Sequence, residues 1–147
     1  MNPTQWLTRQ HDEFRQLFEL VRSNARDRAL LMPQLIADLR AHVATEDEVF
    51  HPVAGGEHHA DAACVDALEL ADSDEALDAA LETLCVAFVA EEVQFSALLA
   101  NLPEGEKRTL LGRMMTQYTT RQSSTFPRAR PPVPSEPPHL EPRRKSA

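Results

Sequence analysis

The 147-residue chain lacks features that mark several common classes of protein. Its two cysteines, Cys64 and Cys85, form no CxxC motif, which fits a reducing compartment and two small buried hydrophobic side chains. No apolar run is long enough to span a bilayer, and no basic leader precedes an apolar segment. We therefore expect a cytoplasmic protein that is neither exported nor inserted into a membrane.

Motifs for hydrolytic or nucleophilic catalysis are also missing. The sequence contains no nucleophile elbow, no phosphate-binding loop and no thiol–imidazole pair, so an enzyme of these classes is not expected, although redox turnover at a metal stays open. The formal net charge of −8 argues against nucleic-acid binding by the body of the protein. With 42% hydrophobic and 26% charged residues, the chain has the composition of one ordinary globular domain.

The last part of the chain differs from the rest in charge and in proline content. Residues 123–147 hold seven of the eleven prolines and carry five basic residues against two acidic ones. Their net charge is therefore +3, which leaves −11 on residues 1–122. Dense proline prevents helix and sheet, so we predict a disordered or extended tail from residue 123 onward. The tail is a partner-binding arm, an electrostatic tether or a solvated segment without a dedicated partner.

Residues 1–122 show the periodicity of amphipathic helices and few strand signals. We predict a first helix over about residues 4–23, a second over 28–50 that Pro52 closes, and a shorter third over 57–70. A fourth helix begins within Asp72-Ser-Asp-Glu75, and a last one carries Leu110 to Tyr118. Short connections make neighbouring helices antiparallel, which predicts an all-α, up-down-up-down four-helix bundle with an extra C-terminal helix.

The apolar seams of these helices contain polar side chains where leucine would be expected. His11 lies on the first seam, and His42 and Glu46 share the second because they are four residues apart. On the fourth helix we place Glu92 on the seam. Buried imidazole and carboxylate groups are costly unless something binds them, and helix bundles bind metal ions with such groups from facing helices. The coincidence of donors on several helices therefore indicates a metal site.

The third helix offers His58 and His59 as further donors. His58 shares a face with Ala62 and Val65, which makes it the better candidate, although His59 remains an alternative. His51 follows Glu46 by five residues and is expected at the surface. Each donor also has a simpler explanation: a lone histidine on a seam is often a hydrogen-bonded core residue, and an HxxxE pair or a glutamate often belongs to a solvated face.

At these residues the chain resembles the hemerythrin-like proteins, whose HHE domain binds cations. The resemblance covers about residues 4–118 and rests on His11-Asp-Glu-Phe-Arg15, on His42-x-x-x-Glu46 running into Val49-Phe50-His51-Pro52, on Glu57-His58, and on Ala90-Glu91-Glu92 before Phe95. In that family a four-helix bundle holds a non-haem di-iron centre. Such centres bind dioxygen reversibly, or sense or scavenge oxygen, nitric oxide, peroxide or iron.

The resemblance implies one or two iron ions as cofactor and a diatomic molecule such as dioxygen or nitric oxide as ligand. The implied metal ligands, carried over position by position, are His11, His42, Glu46, His58 and Glu92. Phe88 departs from the family because it stands where the fourth helix supplies a histidine. Phenylalanine cannot bind a metal, which leaves three outcomes: an asymmetric or single-ion site, a di-iron site completed by water, or a relic. In the last case the bundle is a metal-free interaction module whose tail binds a partner.

Overall fold

The structure, a computed structural model, describes residues 1–56 and 61–125, and within these ranges the chain is entirely helical apart from turns. The helices are α1 (Pro3–Ser23), α2 (Ala25–Thr45), α3 (His51–Ala54), α4 (Asp61–Glu69), α5 (Asp74–Leu99) and α6 (Glu104–Thr125), with a π-helical turn (Glu46–Phe50) between α2 and α3. The all-α prediction is confirmed. None of the described helices combines the length and hydropathy that a membrane span requires.

Helices α1, α2, α4 and α5 form the bundle, and the long helix α6 lies against it. Helix α1 packs on α2 and α5, and α4 also packs on α2 and α5, so these four helices close a ring. Helix α6 packs outside this ring against α1, α2 and the π-helical turn. This arrangement confirms the predicted up-down-up-down bundle with an extra C-terminal helix.

Local signals explain where α1 and α5 begin. The side chain of Asn2 accepts a hydrogen bond from the backbone N–H of Gln5, while the Gln5 side chain accepts one from the backbone of Asn2, which forms a capping box before α1. Ser73 caps α5 by accepting from the N–H of Ala76, as the sequence around Asp72 predicts. These caps hold α1 and α5, two of the three helices that supply the site described below.

The second helical segment is longer than predicted at both ends. Asn24 caps α2 before Ala25, and the helical backbone continues through the π-helical turn to Ala54, where Gly55 has a φ of 84°. The prediction that Pro52 closes this segment is therefore wrong. In the π-helical turn the N–H of His51 bonds to the carbonyl of Glu46, five residues back. The wider turn accommodates Pro52, which has no N–H and would clash with the carbonyl four residues earlier in a regular α-helix.

Other boundaries fall near their predicted positions. Helix α4 is described from Asp61, so Glu57, His58 and His59 lie outside the described residues. Helix α6 continues to Thr125, three residues into the tail predicted for residues 123–147. The rest of that predicted tail, residues 126–147, lies outside the described residues. Both cysteines are free and partly buried against the core.

The core consists of two apolar clusters. One contains Phe14, Phe18, Leu39, Leu84 and Phe88 together with neighbouring apolar residues. The other contains Trp6, Leu7, Phe50, Phe95, Leu99, Leu110 and Met114. Three helical segments pass from one cluster to the other through a buried polar residue: His11 on α1, His42 on α2 and Glu91 on α5. A layer of buried polar side chains therefore separates the two clusters.

Candidate metal centre

Four buried side chains from α1, α2, the π-helical turn and α5 converge in the polar layer. They are His11, His42, Glu46 and Glu91, and one nitrogen or oxygen from each lies within 4.8 Å of the others. At most 5% of the surface of any of these residues is exposed. Charged groups are rarely buried to this extent unless they are paired or bind a metal ion. In the described part of the chain this is the group of side chains with the composition and spacing of a metal site.

The distances within the cluster are short. The Nε2 atoms of His11 and His42 are 3.1 Å apart, and His42 Nε2 lies 2.6 Å from Glu46 Oε1. Glu91 Oε2 lies 3.1 Å from His11 Nε2 and 4.0 Å from His42 Nε2. Donor atoms that share one ion through bonds of about 2 Å lie about 3 to 3.5 Å apart. The two separations of 3.1 Å therefore match those of donor atoms around a single ion.

Two side chains outside the cluster determine which nitrogen of each histidine faces inward. The Nδ1–H of His42 donates to Gln10 Oε1 at 3.1 Å, and the Nδ1–H of His11 donates to Glu92 Oε1 at 3.0 Å. In the neutral imidazoles the Nε2 atoms then carry lone pairs. Two lone pairs 3.1 Å apart repel each other unless a cation or a proton lies between them. Acceptors on Nδ1 are the usual support for a metal-binding histidine.

Three carboxylate oxygens in the cluster have no hydrogen-bond partner although they are buried. They are Oε1 of Glu46 and both oxygens of Glu91. Glu46 Oε1 is close to His42 Nε2, but this contact lacks hydrogen-bond geometry. Leaving a buried charged acceptor unpaired costs at least about 1–3 kcal/mol. A cation bound between these oxygens and the two imidazoles would satisfy them, so the residues present fit a metal ion.

The protonation equilibria of the cluster are strongly perturbed. Burial lowers the pKa of His42, but the negative charge of Glu46 outweighs this effect and raises the pKa to about 9. Burial raises the pKa of Glu46 to about 7, and the charge of His42 offsets it only in part. Burial opposes ionisation of Glu91, yet the close approach of His11 and His42 lowers its pKa to about 2. Burial lowers the pKa of His11. Protons thus neutralise this cluster when no metal does.

Phe88 occupies the side of the cluster where the resemblance implies a histidine. Its ring stacks on the His11 imidazole with centroids 4.0 Å apart and an angle of 11° between the planes. The rings of Phe14 and Phe18 lie 5.9 Å from it and continue an aromatic wall. Position 88 therefore contributes packing to His11 and no donor atom to the site.

The structure places Glu91 in the cluster, where we expected Glu92. The buried seam of α5 runs through Leu84, Phe88, Glu91 and Phe95, with spacings of four, three and four residues. Alternating steps of four and three residues keep side chains on one face of a helix. Glu92 follows Leu84 and Phe88 by successive steps of four, and this places its side chain to one side of that face. The Glu92 side chain is 22% exposed, contacts His11 Nδ1, and lies 3.4 Å from the Arg15 guanidinium. The alternation was visible in the sequence and identifies Glu91.

The other predicted donors divide into those that the structure brings together and those that it does not describe. His11, His42 and Glu46 meet in the cluster. His58 lies outside the described residues. His51 lies away from the cluster, as expected, and its Nδ1–H donates to the carbonyl of Gly55 at 3.0 Å. Sequence reasoning did not identify Gln10, whose position next to His11 on α1 is its only signal.

Comparison with known proteins agrees with this geometry. The sequence matches the model of the family described as hemerythrin HHE cation binding domain over residues 2–102, a span that contains every residue of the cluster and ends before α6. No curated protein and no solved structure matches the chain significantly. The family match covers more than half of the sequence and includes the four helices of the bundle. The chain belongs to the hemerythrin HHE cation-binding domain family.

Proposed function

We propose that this protein is a non-haem iron protein that senses oxygen, nitric oxide or redox conditions, or takes part in oxygen or iron handling. The observation that carries the proposal is the convergence of two imidazole nitrogens and two carboxylates in a buried layer with unpartnered oxygens. Mixed nitrogen and oxygen donors suit iron and similar first-row ions. We also propose a cytoplasmic location, since both cysteines are free thiols.

The residues of the site have separable roles in this proposal. His11 and His42 bind through Nε2, while Glu46 and an α5 carboxylate supply negative charge that balances the ion. Gln10 and Glu92 orient the imidazoles, and the apolar clusters on both sides exclude bulk water. Bound iron would supply redox chemistry and affinity for small diatomic molecules.

Thermal unfolding with and without metal tests the proposal. Because an ion that binds only the native state adds to the free energy of unfolding, added Fe(II) should raise the Tm of the apoprotein and a chelator should reverse the change. At an ion concentration of 100 times Kd the expected gain is about 2.7 kcal/mol. His42→Ala and Glu46→Ala should abolish the shift.

Matched substitutions away from the cluster serve as controls. His51→Ala removes an imidazole at the start of α3, and Glu13→Ala removes an exposed carboxylate of α1. Both variants should keep the full metal-dependent shift. If the Tm of the unmodified protein is indifferent to both Fe(II) and chelator, the proposal fails.

The alternative function is a metal-free interaction module with a degenerate site and a partner-binding tail. The stacking of Phe88 on His11 supports it, because this ring replaces a donor with apolar packing. A Tm without metal dependence, in a protein whose helical content is intact, would favour this alternative.

A further inference from the structure

We propose that the site takes a single ion per chain, that Glu91 is its ligand from α5, and that Glu92 is a positioning residue for His11. This inference rests on the proposed metal-binding function and specifies the site that performs it. It departs from the two-ion centre with a second HxxxE pair that the family resemblance implies. Three independent features of α5 and its neighbours support it.

The first feature is the direction of the two neighbouring glutamates. Successive residues of an α-helix are 100° apart, so Glu91 lies about 60° to one side of Phe88 and Glu92 about 40° to the other. Glu91 therefore turns into the bundle and approaches both histidines, while Glu92 turns toward α1 and its exposed edge. The two carboxylates are thus directed to opposite sides of His11 and meet its two different nitrogens.

The second feature is the aromatic wall that limits the site. Phe88 covers one face of the His11 imidazole, and Phe14 and Phe18 lie behind Phe88. A second ion on this side would contact hydrocarbon where it needs nitrogen or oxygen. The donor atoms of the four cluster residues all lie within 4.8 Å of one another, which is a compact set for one ion. Among the described residues, two ions would have to divide these four donors between them.

The third feature is the contact set of Glu92. Its Oε1 accepts the Nδ1–H of His11 at 3.0 Å, and the Arg15 guanidinium lies 3.4 Å from the same oxygen. Both oxygens of Glu91, by contrast, have no hydrogen-bond partner and are fully enclosed. A carboxylate that holds the outer nitrogen of a metal-binding histidine fixes its tautomer and ring orientation. Glu92 has the contacts of such a residue, whereas Glu91 presents the unpaired, enclosed oxygens that suit a metal ligand.

Titration of the apoprotein with Co(II), followed by absorption and electron paramagnetic resonance, tests the inference. The unmodified protein should bind one equivalent, with the signal of an uncoupled ion. Glu91→Gln and Glu92→Gln are matched isosteric changes in adjacent residues. Glu91→Gln should lose stoichiometric binding, because a neutral amide replaces the ligand. Glu92→Gln should still bind one equivalent, since the amide oxygen can accept from His11.

Glu92→Ala separates positioning from ligation. Without an acceptor on Nδ1 the imidazole is free to change tautomer, so Co(II) affinity should fall about 10- to 100-fold while the stoichiometry stays at one. A higher Co(II) affinity in Glu92→Gln than in Glu92→Ala would show that position 92 acts by orienting the His11 imidazole. Circular dichroism verifies that each variant is folded.

The possible results separate a failure of the single-ion site from a failure of the proposed metal-binding function. Two equivalents of Co(II) with magnetic coupling would overturn the single-ion site and leave the metal-binding function standing. Loss of binding in Glu92→Gln together with full binding in Glu91→Gln would reverse the assigned roles and overturn the inference. No binding by the unmodified protein would overturn both.

Discussion

Gln10 determines which nitrogen of His42 faces the polar layer, although it donates nothing to that layer itself. Gln10→Leu removes the acceptor of the Nδ1–H and leaves a buried donor unpaired. We expect Co(II) affinity to fall about 10- to 100-fold, because His42 no longer holds one tautomer. The matched control is Gln16→Leu, at an exposed position of α1. Equal affinities in the two variants would contradict the role of Gln10.

Phe88 stabilises the bundle through the ring stack on His11. Phe88→Ala leaves a cavity between α1 and α5 and should lower the free energy of unfolding of the apoprotein by about 3–5 kcal/mol. Val89→Ala, on the exposed side of the same helix, should change it by less than about 0.5 kcal/mol. Urea unfolding measures both values, and a small loss in Phe88→Ala would mean that the ring is not an integral part of the core.

Single residues of the site differ in how well the sequence identifies them. His11, His42 and Glu46 were predicted because each interrupts an apolar seam whose period is clear. Glu91 could have been preferred to Glu92 from the alternating steps of three and four residues between the buried residues of α5. The HxxxE spacing from position 88 instead favoured Glu92. Gln10 was not identifiable, because a hydrogen bond between two helices depends on their relative placement and leaves no periodic signal.

At the scale of elements, the π-helical turn explains the least predictable boundary. Helix starts were accessible because capping residues such as Asn2 and Ser73 act locally. The continuation of the helix past Pro52 could not be predicted from the sequence. The hydrogen bond from the N–H of His51 to the carbonyl of Glu46 widens the turn, but it leaves the hydrophobic pattern around it unchanged. The turn begins at Glu46, and such turns often occur where a helix supplies a functional side chain.

Helix α6 lies outside the family match yet completes the core next to the site. Leu110 and Met114 are buried in the same apolar cluster as Trp6. Tyr118 makes an edge contact with Trp6, and Trp6 stacks on His42. Arg121 and Gln117 bind Glu48, which ties α6 to the π-helical turn. Helix α6 therefore covers Trp6, which in turn lies on His42.

Truncation after Pro103 tests the role of α6. It should expose Trp6, the only tryptophan of the chain, and so shift its fluorescence emission to longer wavelength and lower the Tm. A chain truncated after Thr125 retains α6 and should keep the emission and Tm of the full chain. If both truncated chains resemble the full chain, α6 is not part of the core.

At the scale of the whole molecule, the two apolar clusters must outweigh the cost of the polar layer between them. Without metal, that layer is neutralised by protons, which makes stability depend on pH. His42 titrates at about 9 in the fold against 6.5 ordinarily, and Glu46 at about 7 against 4.5. The folded apoprotein therefore binds more protons than the unfolded chain across this range, and its stability should fall as the pH rises from 6.5 to 9.

Urea unfolding of the apoprotein across that range measures the dependence. In Glu46→Gln, which removes the negative charge that raises the pKa of His42, the decline between pH 7 and 9 should become smaller. Saturating Co(II) should also suppress the decline, because a bound cation replaces the protons that are lost. A stability that rises with pH in the apoprotein would contradict the geometry of the polar layer.

The fold as a whole was the most predictable property, because helix periods and short connections restrict a chain of this length to few architectures. Whether the polar layer binds an ion depends on contacts between helices, such as the stacking of Phe88 on His11. The hydrophobic periodicity of the sequence does not reveal such contacts.

The most direct test of the central claim is the metal content and absorption spectrum of the full chain, expressed with added iron and purified without chelator or nickel affinity resin. We predict close to one iron per chain. A folded protein that carries no metal and takes up none on addition of Fe(II) would contradict the account.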